Sequence, residues 1–146
     1  MPESFEMSRE ESESLLRLGV VGRVAVSTPT GPHIIPVDYS VVEGSIVMRT
    51  SPYSLLAIHG IDVVVAFEVD HVDHENHHAW SIVARGMSEV VSDAVAADHI
   101  RAVWEPRPWA AGSGNLFLRL PWNDLTARKL GVGWSPANEL EFGRRV

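Results

Sequence analysis

Apolar residues recur along this chain in two rhythms, and the change from one to the other marks its elements. The first rhythm is helical. Leu15, Leu16 and Leu18 gather on one side of a segment that opens at Ser8, and Glu11, three residues on, completes a capping box. The acidic first turn suits the positive end of a helix dipole, and Gly19 closes the segment. From Gly22 the rhythm becomes that of strands. Residues 23–28 (RVAVST) and 33–41 (HIIPVDYSV), joined by the turn-forming TPTGP, predict a hairpin. Glu43-Gly44 then turns the chain into a third strand over residues 46–49. Pro36 has no N–H to give to a ladder, so its strand is an edge or is bulged there.

A short helix follows that third strand. Ser51 suits its N-cap, Pro52 its first position, and Gly60 the left-handed residue that ends it after His59. In IDVVVAFEVD the unbroken apolar run 63–67 predicts burial on both faces, as in a barrel wall or an interface. HVDHENHH, residues 71–78, breaks the β pattern and reads as a loop before the long strand AWSIVARGMSEVVS. Gly86 within that strand marks a bulge or a close approach by another group. Ser92 suits the N-cap of a helix over about 93–103, with Ile100 and Val103 facing inward. EPRPWAAGSG is a loop, residues 115–120 form a strand, and LTARKLGVGW forms a final one. Five or six strands, close turns and few helices predict a mainly β, small antiparallel barrel.

At 146 residues the chain has the length of one domain: a helix at about 8–19, a barrel over about 22–130 and a tail. Its 12 basic and 19 acidic residues give a net charge of -7, which argues against a nucleic-acid backbone as the main partner. With no cysteine there is neither a disulfide nor a thiolate nucleophile nor Cys-ligated zinc. The first residues lack a signal peptide's apolar core, and no apolar run approaches the roughly 20 residues of a membrane span, so a cytoplasmic protein is expected.

The candidate chemistry centres on residues 45–60. A strand running into a helix leaves free N–H groups at Tyr53 and Ser54, near the hydroxyls of Thr50, Ser51 and Ser54 and the guanidinium of Arg49. Such a corner suits an anion, phosphate above all, or else is an ordinary strand-to-helix turn whose Ser and Thr serve only the backbone. His71, His74, His77 and His78 with Asp70, Asp73 and Glu75 are the densest set of metal-ligand types, but their spacing matches no standard site and they read as a solvated loop, with no metal expected. Arg107 and Trp109 stand in a tract that suits either a lid or a surface connection. His33, His59 and His99 stand alone and read as structural.

GRVAVSTPTGPHIIPVDY, then VMRTSPYSLLAIHG, then VVVAFEVD, then WSIVARGMSEVV is an order of pieces that resembles the pyridoxamine 5'-phosphate oxidase-like family, FMN-binding split β-barrels, and especially its short bacterial members. The resemblance covers about residues 8–130 and implies an antiparallel split β-barrel, homodimeric, with flavin sites between subunits and a small-molecule substrate that the sequence does not specify. By position it implies that Pro36, Val37 and Asp38 offer backbone to the flavin, that Arg49, Thr50 and Ser54 bind phosphate, and that Ser81, beside Trp80, meets the ring. Where the family commonly carries lysine or an Arg-Lys pair after the phosphate-site serine, this chain has Leu55 and Leu56. That departure implies an exchangeable FMN, or a deazaflavin, a haem or no cofactor in its place. If flavin binds, hydride or electron transfer is the expected chemistry. Asp38 and Tyr39 lie near the site and Trp80 suits ring stacking, yet ordinary strand and core roles serve all three as well, and no side chain is assigned as a catalytic acid or base.

Overall fold

A computed structural model describes residues 4–106, 116–122 and 124–131. Arg107, Trp109, Asn115 and the tail expected after the barrel lie outside the described residues. The elements in chain order are β1 (Ser4–Glu6), α1 (Arg9–Leu18), β2 (Val21–Thr28), β3 (Gly31–Val42), β4 (Ser45–Thr50), α2 (Leu55–His59), β5 (Val64–Asp73), β6 (His78–Met87), β7 (Glu89–Val90), α3 (Ala94–Trp104), β8 (Leu116–Pro121) and β9 (Asp124–Leu130). The described strands form one antiparallel sheet in the order β1-β9-β6-β5-β2-β3-β4-β8-β7, curled into a half-barrel. The expected hairpins are present. The described strands number nine where five or six were expected, in part because β1 and β7 are too short to carry a rhythm of their own.

The long strand β3 lets the sheet turn. Its first part, through Asp38, pairs with β2, whereas residues 39–42 pair with β4. Among the described residues one side of residues 31–37 is therefore an open edge, which is where Pro36 is tolerated. Tyr39 donates its amide to Val20 at 2.9 Å. Alternation along an antiparallel strand then aims the even-numbered amides of β3 at the open side, and Pro32 and Pro36 occupy two of those positions. The edge is blunted by residues that have nothing to donate.

Inside the curl lies one apolar core that includes Leu16, Val24, Tyr39, Met48, Leu56, Phe67, Ile82 and Leu118. The helix α1 contributes Leu15 and Leu16, and its capping box forms as expected, with Glu11 N–H donating to Ser8 Oγ at 3.2 Å. Tyr39 fastens that helix to β3 by donating its hydroxyl to the Leu16 carbonyl at 2.6 Å. A smaller cluster of Val42, Val47, Ile100 and Phe117 seats α3 on the outer face. Ile100 points inward as expected. Val103 instead faces solvent, because the helix is a single-sided cover and that position lies on its far side.

Three other expectations are corrected. The run 63–67 is not buried on both faces: Val63 is 41% and Val64 64% exposed, while Val65 and Phe67 enter the core, because β5 is covered on one side only. The segment 71–78 is half strand, since β5 runs to Asp73 and β6 begins at His78, with a tight turn over 74–77 between. Asp73 organises that turn by accepting from the amides of Glu75 and Asn76 and from the Asn76 side chain, which holds its carboxyl below the usual range. Gly60, finally, has φ −108° and is not left-handed. It is needed because a Cβ there would stand 2.6 Å from the Leu56 carbonyl oxygen.

Gly86 is a close approach and not a bulge. It stays in register with Val65, but a Cβ would lie 2.4 Å from the Pro121 carbonyl oxygen of β8. At this point the curl brings two strands from opposite sides of the sheet into contact.

Candidate functional site

The strand-to-helix corner starts its helix three residues later than expected. Ser54, not Ser51, is the N-cap, accepting from the Ala57 amide at 3.0 Å. Ser51 and Pro52 belong instead to a turn in which Ser54 N–H donates to the Ser51 carbonyl at 3.1 Å and Tyr53 N–H to Ser51 Oγ at 3.3 Å. Proline at the second position of a turn has the φ that the turn needs, so Pro52 serves both readings, and the serine hydroxyls decide between them. Thr50 completes the set by donating its hydroxyl to Ser54 Oγ at 2.6 Å. The two amides expected to point outward are thus engaged, and the five-residue helix offers no anion site of its own.

Arg49 leaves this corner on the opposite side of β4. Alternation puts Ile46 and Met48 in the core and sends Val47 and Arg49 to the face that carries α3. There Arg49, only 20% exposed, donates to Glu105 at 3.0 Å and lies over the Phe117 ring with 5.6 Å to its centroid. Arg101 lies over the same ring at 5.2 Å, and its Nε is 3.9 Å from the same Glu105 oxygen. Neither Arg101 nor Glu105 stood out in the sequence beyond their helical spacing of four.

The outer face of β3, β2, β5 and β6 collects the remaining positions. Asp38 pairs with Val21, Arg23 with Glu68, and Asp70 with Ser81, so Asp38 and Ser81 share one row across the sheet. At ~4.8 Å per strand they are about 14 Å apart. Pro36 lies beside Asp38 on this face, whereas Val37 points into the core at 3% exposure. Between the two ends Arg23 donates to Glu68 at 3.0 and 3.1 Å and to Asp70 at 2.9 Å, and its pKa is raised, first by the hydrogen bond to Glu68.

Trp80 and Tyr39 belong to the inner side. Trp80 is a core residue, 5% exposed, on the face of β6 opposite Ser81, and its indole nitrogen is buried without a hydrogen-bond partner. Tyr39 spends its hydroxyl on Leu16 and packs edge-on against Phe67. Both serve the core here. His71 neighbours Trp80 within the sheet, His78 is buried, and His74 and His77 lie in the exposed turn. Among the described residues no group of three or more such side chains comes together to hold a metal ion, and no helix is long and apolar enough to cross a membrane.

A family model described as pyridoxamine 5'-phosphate oxidase matches residues 8–129, which span every candidate site position. The chain belongs to this family. Among curated proteins it is 35% identical over 96 residues to the uncharacterized protein Rv0080 of Mycobacterium tuberculosis, covering 62% of this chain and 63% of that protein's length. Among solved structures, a Corynebacterium glutamicum protein named for pyridoxamine 5'-phosphate oxidase aligns with a TM-score of 0.76 and 27% identity over 92% of this chain and 98% of its own. An FAD binding protein of Mycobacterium smegmatis aligns with a TM-score of 0.73 and 25% identity over 85% and 96%. Both structures thus share the fold over most of this chain.

Proposed function

We propose that this chain is a flavin-binding oxidoreductase of the pyridoxamine 5'-phosphate oxidase family that acts as a homodimer on a small organic molecule, with FMN as its flavin. The observation that carries the reading is the family match over residues 8–129, which includes the whole outer face and the Arg49 corner. The donor set suits such a group in two places. The edge of β3 before Asp38 turns the Ile34 amide and the Ile34 and Pro36 carbonyls outward, complementary to a ring edge that both donates and accepts. Arg49 provides a planar fork for phosphate on the face that carries α3, while Thr50, Ser51 and Ser54 hold the turn behind it.

A bound flavin supplies hydride or electron transfer at its ring. The protein's part is to hold and orient. Pro36, Val37 and Asp38 present backbone to the ring edge, and Ser81 presents a hydroxyl. Asp38 and Ser81 stand too far apart in one chain for one hydrogen-bonding edge to meet both, which favours a site in which the two come from different subunits. Leu55 and Leu56 bring no cation to the phosphate, so the flavin exchanges readily. FAD is a second reading, favoured by the M. smegmatis relative that binds it.

The absorption spectrum of the protein loaded with FMN, FAD or riboflavin tests this. A bound flavin band is expected with FMN. Arg49→Ala should weaken FMN roughly tenfold to a hundredfold and leave riboflavin unchanged, since a charge-assisted bond contributes about 1.5–3 kcal/mol. Equal losses for both would place the phosphate elsewhere, and no band with any flavin would end the flavin reading.

A further inference from the structure

Arg49 does not stand alone on its face of the sheet. Arg101, from the last turns of α3, reaches the same Phe117 ring, and both guanidinium groups converge on one oxygen of Glu105, at 3.0 and 3.9 Å. A carboxylate oxygen between two arginines marks the place where an anion is most favourable on this part of the surface. Arg101 also holds Asp98 at 3.2 Å, so it keeps a partner whichever anion Arg49 takes. Glu105 is the C-cap residue of α3 and its side chain is 41% exposed, so it can turn into water without being stranded.

We propose that Arg49 and Arg101 form a two-arginine clamp for the phosphate of the flavin nucleotide, and that Glu105 is the internal carboxylate this phosphate must displace. The proposal rests on the flavin reading above and deepens it. It assigns the second cation, missing at Leu55 and Leu56, to a helix about 50 residues further along the chain. Phosphate brings more charge and more acceptor oxygens than a carboxylate, so it wins the exchange, but it binds less tightly than it would to free arginines. Glu105 therefore sets the affinity, and the Phe117 ring helps hold both guanidinium groups over it.

Titrating the full chain and its Glu105→Gln and Arg101→Gln variants with FMN and with riboflavin tests the clamp. Glu105→Gln should bind FMN roughly tenfold tighter and Arg101→Gln roughly tenfold more weakly, the effect of adding or removing one charge-assisted hydrogen bond, with riboflavin unmoved. All three side chains are at the surface or its margin, and thermal melting checks that each variant is folded. If Arg101→Gln binds FMN as the unaltered chain does, or Glu105→Gln binds it no tighter, the clamp is wrong, whatever Arg49→Ala shows. If no flavin binds at all, the flavin reading has failed and inorganic phosphate decides the clamp. Movement of the Arg49 and Arg101 Nε–H signals of Glu105→Gln in NMR on adding phosphate, and not on adding chloride at equal ionic strength, supports it. Signals that stay in place overturn it.

Discussion

Leu55 and Leu56 are neighbours in sequence that part company in space. Leu56 is fully buried in the core, while Leu55 is half-exposed on the first turn of α2. An ammonium group at Leu56 would be desolvated, but one at Leu55 reaches water, and lysine is a good helix former. Leu55→Lys should therefore melt normally and tighten FMN roughly tenfold, an effect that weakens as salt rises. Unchanged FMN affinity in a normally melting variant would mean that the corner does not face the phosphate. Tyr39 makes the complementary point: next to the expected site in sequence, it faces the core and its hydroxyl holds α1.

At the scale of elements, the packing of β6 on β8 is a demanding contact. Register keeps Gly86 opposite Val65 on β5 while its other side meets the backbone of Pro121. The obstacle is a carbonyl and not the tip of a flexible side chain, so the strands themselves must yield to any Cβ. Gly86→Ala should cost roughly 1–3 kcal/mol of stability, read as a lower denaturation midpoint in urea. A midpoint equal to that of the unaltered chain would mean that the two strands are further apart in solution.

For the whole molecule the exposed outer face is decisive. Ile34 at 72%, Val64 at 64% and Met87 at 56% exposure stand on the same side of the sheet as Pro36, Asp38 and Ser81. Apolar side chains grouped in this way suit an interface between copies of the chain, as the proposed shared flavin site would require. Sedimentation at low micromolar concentration should give a dimer for the unaltered chain and a monomer for Val64→Asp, whose carboxylate would be buried unpaired. A folded monomer for the unaltered chain would remove both the dimer and the shared site.

What the sequence determined by itself is what short-range physics governs. The capping box of α1 and the hairpin of β2 and β3 both depend on residues close together in the chain. Their energies are settled before the chain closes on itself. Even locally the choice fails where candidates compete: Ser51, Pro52 and Ser54 all suit a helix start, and the Thr50 hydroxyl, by bonding Ser54, belongs to the arrangement that starts the helix late. Only the tertiary structure decided which face of the run 63–67 is covered, because alternation does not say where a partner layer lies. It also decided the partner of Arg49, since Glu105 is 56 residues away and reaches it only through the packing of α3 on Val47 and Phe117. The spread of Asp38 and Ser81 to the two ends of one row has the same origin, because strand order and register are long-range properties that no local pattern encodes.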